Sequence, residues 1–540
     1  MPRKPKPTCV PQIMNQPKPP IPNALLGEGA ACAISVLARR NREASALSLL
    51  NEGMRHTPGR TLAETGIQIA LQQGDFALCR LCLDWLQAHS TPAEIRQLSR
   101  WEDDFALWQR AAKAMQPSAA PLPPLASNRL YYALHNALPF STGGYATRGH
   151  GLAQGLVAAG WDVHCVTRPG YPMDITGQSA ADVDESDLVD TIRYHRILAP
   201  ERSGLPVWDY ILAAADKHTE MLRALRPARV LAASDFTTAL PALFAARRCG
   251  IPFIYEVRGL WEITEISHNP ALEASEHFQY RTRMETLAAT SADHILTLTG
   301  PLQHELIRRG VPAERITLAP NSCDTERFRP RSRDAELAAH YNLPPDVPVI
   351  GYVGSFVQYE GLDHLVQACA ILRAQGVDFR LLLVGDEGAS GQGAGPLTQE
   401  IKNLIHDGRL DDKAILPGRI PNDMVEAHYS LIDIAPFPRK PQPVTEMVSP
   451  IKPIEAMAME RAVVVSSVAA LAELVEDNQT GVVFRKGDLL DLVRVLEQLL
   501  TDPILRNRLG QAARRWVIEN RRWADTAIGV SEVLNRPGTL

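Results

Sequence analysis

Ser449-Pro450 stand just before a helical run that carries Lys452 and, a turn further on, Glu455. Proline near the first helical position favours a helix start at that point. The free amides of a helix tip, with a lysine in its first turn, suit a diphosphate. A carboxylate at Glu455 can accept two vicinal ribose hydroxyls, or it can be a plain surface acid. Ser449, Lys452 and Glu455 are spaced to fall on roughly one helix face, which favours a shared role. A second group of candidates lies earlier in the chain. Gly143-Gly144 follow a strand and precede a helix, so the backbone there can approach a ligand closely, although an ordinary turn fits equally well. Arg148 and His150 occupy the first helical turn. His150 can contact a sugar or phosphate, or can cap the helix. In Tyr255-Glu256-Val257-Arg258-Gly259-Leu260-Trp261-Glu262, charged and aromatic residues crowd the end of a strand. Arg258 and Glu262 are expected to face a cleft there; a buried Glu256–Arg258 ion pair is the alternative. Asp235 ends the preceding strand, where it either orients a hydroxyl or caps the next helix.

The elements that position these residues alternate between strand and helix from Arg129 onward. Strands are predicted at 129–134, 161–167, 191–197, 229–234, 252–257 and 293–299, then at 348–354, 379–385, 413–418, 433–437, 462–467 and 481–484. Two consecutive β/α series imply an α/β fold with two doubly wound, Rossmann-like parallel sheets. Ligands of such sheets bind at the carboxyl ends of the strands, so the expected site is the cleft between the two. The chain from about Asp488 to Asn535 reads as helical.

Before this region the pattern differs. Residues 1–24 are rich in Pro and Lys and read as a disordered tail, with a weak option of touching an anionic membrane surface. Residues 25–115 read as helices only, with Ala44, Leu50 and His56 recurring 33 positions later as Ala77, Leu83 and His89. This all-α helical-repeat unit resembles tetratricopeptide-like helix pairs, and its expected role is docking or spacing. A proline-rich linker covers 116–128. The remaining expected divisions are 129–335, 336–520 and a C-terminal helix and tail at 521–540.

Composition narrows the function. The chain has 540 residues, with 56 Lys and Arg against 61 Asp and Glu, so no global basic field for nucleic acid exists. Its eight cysteines are scattered and read as small hydrophobes of a reducing compartment. Cys79 and Cys82 form a C-x-x-C without a second pair, which argues against zinc. No apolar run approaches the roughly 18 residues of a membrane span, and the N-terminus lacks a signal-peptide core. Asp411-Asp412 and Glu102-Asp103-Asp104 lack a metal-binding context.

Residues 129 to about 535 resemble a GT-B glycosyltransferase of carbohydrate-enzyme family four, the retaining, nucleotide-sugar-dependent group. The resemblance rests on Gly143-Gly144, P-N-x-x-D at 320–324, V-G-x-F…E-G at 353–361, V-G-D at 384–386, E-A-M-A at 455–458 and T-G-V-V-F at 480–484. The segments YEVRGLWE and SPIKPIEAMA are similar to a branch that makes surface or capsular polysaccharide. The resemblance implies a nucleotide-diphosphate sugar, UDP-linked by expectation, along the second sheet. Its base would rest on Arg419-Ile420, its ribose on Glu455, and its diphosphate near Gly354, Ser355 and the 449–451 turn of Ser449, Pro450 and Ile451. It implies an acceptor near Gly143, Gly144, His150, Asp235, Arg258 and Glu262, and neither cofactor nor metal.

Two departures bear on the chemistry. Where this family offers Arg and Lys to the diphosphate, the chain has Ser355 and Glu360; where it places an acid eight residues before Glu455, the chain has Met447, with Glu446 one position off. Lys452, with Arg439, is expected to substitute electrostatically, and Lys452, Glu446, His150 and Arg258 are the expected catalytic set. The acceptor would be a growing polysaccharide or a lipid-linked glycan. The setting would be cytoplasmic, with peripheral membrane contact and a protein partner for the helical unit as options. Two rivals stand beside this reading: another GT-B enzyme such as a sugar-nucleotide epimerase or a phosphorylase, and a degenerate transferase serving as an adaptor.

Overall fold

A computed structural model describes residues 43–56, 58–73, 75–117, 123–387 and 395–536. The expected tail at 1–24, the helical run directly after it, Gly74 and part of the linker lie outside these residues. The chain divides into two compact units, residues 1–113 and 114–540.

The first unit is helical: Glu43–His56, Arg60–Gln73, Phe76–Ala88 and Pro92–Ala114. The first and third helices start 33 residues apart, the second and fourth 32. Apolar residues at helical spacing, among them Leu50, Leu62, Ile67, Leu83 and Leu86, make its core. A Cβ on Gly66 would lie 2.8 Å from Cys82 Sγ, so glycine is what lets these helices close up. Burial pushes the thiols of Cys79 and Cys82 up to about 12, which makes them packing groups.

The second unit holds two sheets. One contains β1 (Arg129–Leu134), β2 (Asp162–Thr167), β3 (Ser186–Val189), β4 (Ile192–His195), β5 (Arg229–Ala233), β6 (Phe253–Val257), β7 (His294–Thr297) and β8 (Ile316–Leu318). Their spatial order is β3-β4-β2-β1-β5-β6-β7-β8. Every pairing is parallel except β3 with β4, an antiparallel edge hairpin that the apolar pattern does not signal. The other sheet contains β9 (Val349–Val353), β10 (Arg380–Val384), β11 (Ala414–Gly418), β12 (Ile434–Phe437), β13 (Ala462–Ser466) and β14 (Val482–Phe484). It is wholly parallel in the order β11-β10-β9-β12-β13-β14. Central strands such as β1, β6 and β9 are buried along nearly their whole length because helices cover both sheet faces.

The last helix, Trp523–Leu534, returns to the first sheet. Trp523, Ala527, Val530 and Val533 join the core beneath β1 and β2. They pack against the helix Gly144–Ala158, where a Cβ on Gly151 would fall 2.4 Å from Trp523 Nε1. Two glycines of that helix, Gly151 and Gly155, therefore admit the returning helix.

Candidate active site

The carboxyl ends of β9, β10 and β11 meet in three glycine turns. Gly354 N donates to Val384 O at 2.9 Å, and Gly385 N to Gly418 O at 2.8 Å. A Cβ on Gly385 would stand 1.9 Å from Gly354 O, so only glycine allows the two turns to nest. Lys452 lies directly on this floor: a Cβ on Gly354 would fall 2.1 Å from its Cε and 2.4 Å from its Nζ. The ammonium donates to Tyr352 Oη at 3.1 Å and sits 5.3 Å from the centre of that ring. Among the described residues no carboxylate lies within ion-pair distance of it. Burial pulls its pKa down from the usual amine range, and Glu360 pulls it back.

Lys452 opens the helix Lys452–Ala458. Ser449 therefore precedes the helix instead of sharing its face, a correction to the spacing argument. Ser449 is buried, and its carbonyl accepts from Asn321 Nδ2 at 2.7 Å. Among the described residues the amides of Ser449, Ile451 and Lys452 reach no protein acceptor, and the intervening Pro450 has none to offer. Glu455 is half-buried on this helix, with Tyr429 Oη at 3.4 Å. Burial raises its carboxyl to about 7 against the pull of Arg327 and Lys452. Past β11, the amide and carbonyl of Ile420 pair with no other backbone group among the described residues, while the Arg419 side chain turns to Asp386 at 3.1 Å.

Arg439 is not a second free cation. Its Nη2 and Nε donate to the two oxygens of Glu360 at 2.6 and 3.2 Å, and Nη1 donates to Val448 O at 2.7 Å. Both partners are buried, so the carboxylate consumes the guanidinium charge. Ser355 contributes its carbonyl to Tyr352 Oη at 3.2 Å. Glu446 is also committed: one oxygen takes Ala469 N at 2.8 Å and the other Lys486 Nζ at 2.6 Å. A shift of one position in a helix turns a side chain by about 100°, so Glu446 does not stand in for the acid that Met447 replaces.

Across the cleft, Gly143 and Gly144 are exposed, and a Cβ on either would meet nothing within 4 Å. Packing does not require them to be glycine. Arg258 is 3 % exposed: Nη1 donates to Tyr145 O at 2.7 Å, and Nη2 to Tyr132 Oη and Glu256 at 2.6 and 2.9 Å. Arg148 holds the other Glu256 oxygen at 2.8 Å, and also donates to Ala319 O, Pro320 O and Asn321 Oδ1. The ion-pair alternative thus describes Glu256 and Arg258, and the expectation that Arg258 faces ligand is corrected. Two guanidiniums keep the Glu256 carboxyl below its ordinary range despite total burial. Glu262 is wholly buried and accepts from Arg309 at 2.7 Å. Asp235 is buried too, caps the helix Phe236–Cys249 through Thr237 N at 3.2 Å, and lies 3.6 Å from His135. His150 spends both ring nitrogens on Tyr194 and Asp190, each at 2.8 Å, and so fastens the β3–β4 hairpin.

The two sides touch at several points. Asn321 joins Arg148 to Ser449, Thr299 Oγ1 donates to Met447 O, Val444 N donates to Ser267 Oγ at 3.2 Å, and Gly300 N to Glu473 at 3.1 Å. The segment carrying Met447–Ser449 is held from the first sheet while Lys452 lies on the second.

Two family matches divide this unit as its sheets do. Residues 143–322 match the glycosyl transferase 4-like domain, and residues 334–516 match the glycosyl transferases group 1 family. Both are glycosyltransferase models, and each covers about a third of the chain. The chain is 30% identical to an alpha-D-kanosaminyltransferase of Streptomyces kanamyceticus over 42% of its own length and 56% of the relative. It is 27% identical to the capsular polysaccharide biosynthesis glycosyltransferase CapM of Staphylococcus aureus over 50% and 66%. The matches thus span little more than half to two thirds of these relatives. Among solved structures, sucrose-phosphate synthase of Thermosynechococcus elongatus superposes with TM-score 0.59 at 22% identity, covering 75% of the chain and 98% of that structure. HepE of Anabaena, solved with UDP and glucose, gives 0.57 at 16%, covering 75% and 99%. These likenesses establish the GT-B fold.

The structure brings together Gly354, Lys452, Glu455 and the 449–451 turn, and places Arg258, Asp235, Glu262, His150 and Glu446 in other work. Sequence reasoning missed Tyr352, which seats the ammonium, and the Glu360–Arg439 pair. The only signal for that pair was an acid where the family carries a base.

Proposed function

We propose that this chain is a glycosyltransferase that moves a sugar from a nucleotide-diphosphate sugar, a UDP-sugar in the first instance, to a hydroxyl of a surface polysaccharide or lipid-linked glycan with retention at the anomeric carbon. The observation that carries the reading is Lys452, an ammonium with no carboxylate partner among the described residues, resting on the Gly354 turn at the strand ends. The diphosphate would lie over that turn, with the 451–452 amides beside it. The ribose would meet Glu455 and the base the free backbone of Ile420. As the bond between anomeric carbon and phosphate oxygen breaks, its electron pair passes to the phosphate. Lys452 and the nearby amides stabilise that charge, the largest catalytic contribution expected of such a site. The acceptor oxygen bonds to the anomeric carbon, and its proton leaves with the departing diphosphate. No metal or cofactor is needed in this scheme. The names of CapM and HepE's UDP complex support the acceptor class and the base. No helix among the described residues is long and apolar enough to cross a membrane. The helical unit would dock a protein of the same assembly.

A thermal-shift panel of nucleoside diphosphates and nucleotide sugars tests this. One base and its sugar nucleotide should raise the melting temperature, and the anomeric proton coupling of the product should match that of the donor. A flat panel favours the second reading, an adaptor built on a degenerate transferase, which Glu360 neutralising Arg439 and Met447 in place of the acid both support.

A further inference from the structure

Tyr145 and Trp261 form a locked aromatic corner on the first sheet's side of the cleft. Their rings stand at 88° with centroids 5.9 Å apart, and Trp261 Nε1 donates to Tyr145 Oη at 2.8 Å. Tyr145 Oη also lies 3.2 Å from Ser234 Oγ. Behind them, the buried His135 ring packs on Trp261 at 4.6 Å, and Arg258 sits 5.4 Å from the Tyr145 ring while holding that residue's carbonyl. Both aromatic side chains nevertheless remain partly exposed. Tyr145 follows the open Gly143-Gly144 turn after β1, and Trp261 starts the helix that follows β6. Two residues before Trp261, a Cβ on Gly259 would lie 3.2 Å from Val448, on the segment that leads to Lys452. The corner therefore borders the donor segment.

We infer that Tyr145 and Trp261 are the platform on which a neutral pyranose ring of the acceptor stacks. This rests on the transferase reading of the cleft and names the acceptor side of it. The polar edges of the two rings are spent on each other and on Ser234, so their accessible parts are π faces and C–H edges. An electron-rich face attracts the weakly positive C–H groups of a sugar ring and disfavours an anion. An aliphatic chain fits less well, because the exposed large aliphatic side chains, such as Leu188, Leu205 and Ile528, belong to other segments. Rigid rings already held in place lose little freedom on binding, which is what a weak, single-ring contact requires. Of the two buried acids first expected at this site, Asp235 lies 3.6 Å from His135, which packs on Trp261, and Glu262 is spent on Arg309.

The test uses the full chain and saturation-transfer NMR with methyl glycosides of glucose, galactose, mannose and N-acetylglucosamine. At least one glycoside should receive saturation on its ring protons. Trp261→Leu should cut the transfer by about threefold or more, the scale of one aromatic contact, and Trp261→Phe should keep most of it. Should the leucine variant fail to fold, a 5-fluorotryptophan-labelled wild-type chain gives the same answer: the resonance missing from Trp261→Phe must shift on glycoside addition. UDP and GDP titrations of the same samples separate the two readings. Nucleotide binding with no glycoside signal, or with a signal indifferent to Trp261, overturns the platform alone. A Trp261-dependent glycoside signal without any nucleotide binding keeps the platform and removes the transferase function.

Discussion

Lys452 places its Cε 2.1 Å from where a Gly354 side chain would begin. The ammonium can lie over the β9 turn only because nothing projects from that turn, and the glycine's φ of 154° is one that side-chain-bearing residues rarely adopt. Gly354→Ala should therefore displace the lysine. Calorimetry with UDP and GDP should show nucleotide affinity falling about tenfold or more, the scale of a charge-assisted contact. Unchanged affinity would mean that the lysine is not where the phosphates bind.

Glu360 and Arg439 are a buried pair in place of the two free cations that the resemblance leads one to expect. Glu360→Gln should move two quantities in opposite directions. Folding stability should drop by about 3 kcal/mol, because a buried guanidinium loses its counter-charge. Affinity for a nucleotide sugar should rise, because the positive potential at the Gly354 turn is no longer offset. Urea denaturation and calorimetry on one preparation check both.

Glu455 ionises only as pH passes about 7, because burial outweighs the pull of Arg327 and Lys452. A ribose held by the carboxylate form should bind more tightly as pH rises through that value. UDP-glucose is the probe, since its diphosphate carries no group that titrates there. The rise should vanish in Glu455→Gln. A wild-type affinity that is flat across neutrality would remove Glu455 from the ribose.

Glu285 is pushed up to about 8, first by burial and then by Glu262 and Asp235, while Tyr255 Oη at 2.6 Å and Phe236 N at 2.9 Å pull it down. Between its ordinary range and that value the folded chain holds a proton that the unfolded chain has lost. Stability should therefore fall as pH rises through this window. Glu285→Gln should remove much of the slope between about pH 5 and about pH 8 in chemical denaturation, worth a few kcal/mol.

Much of the fold is readable in the apolar runs, because parallel strands covered on both faces must be continuously apolar, as in β1, β9 and β13. β3 escaped because Ser186–Val189 is an edge strand with only half-buried or exposed positions and so has no such run. The last helix was legible as a helix, but not its return to the first sheet; Gly151 and Gly155 reveal that only once Trp523 is seen against them. In the site, Lys452 and Glu455 stand out by type and spacing because they share one short helix. The Glu360–Arg439 pair joins residues 79 apart and depends on tertiary packing. Arg258 was misread for a related reason: it lies just past the end of β6, and tertiary packing brings Tyr132, Glu256 and the Tyr145 carbonyl to it.

The central claim is that one ammonium, Lys452, neutralises the donor diphosphate without a free guanidinium beside it. Isothermal titration of the matching nucleotide sugar into the wild-type chain and Lys452→Ala tests this most directly. Affinity should fall by about tenfold to a hundredfold, with the melting temperature of the unliganded chain little changed. Equal affinity for the two chains would contradict it.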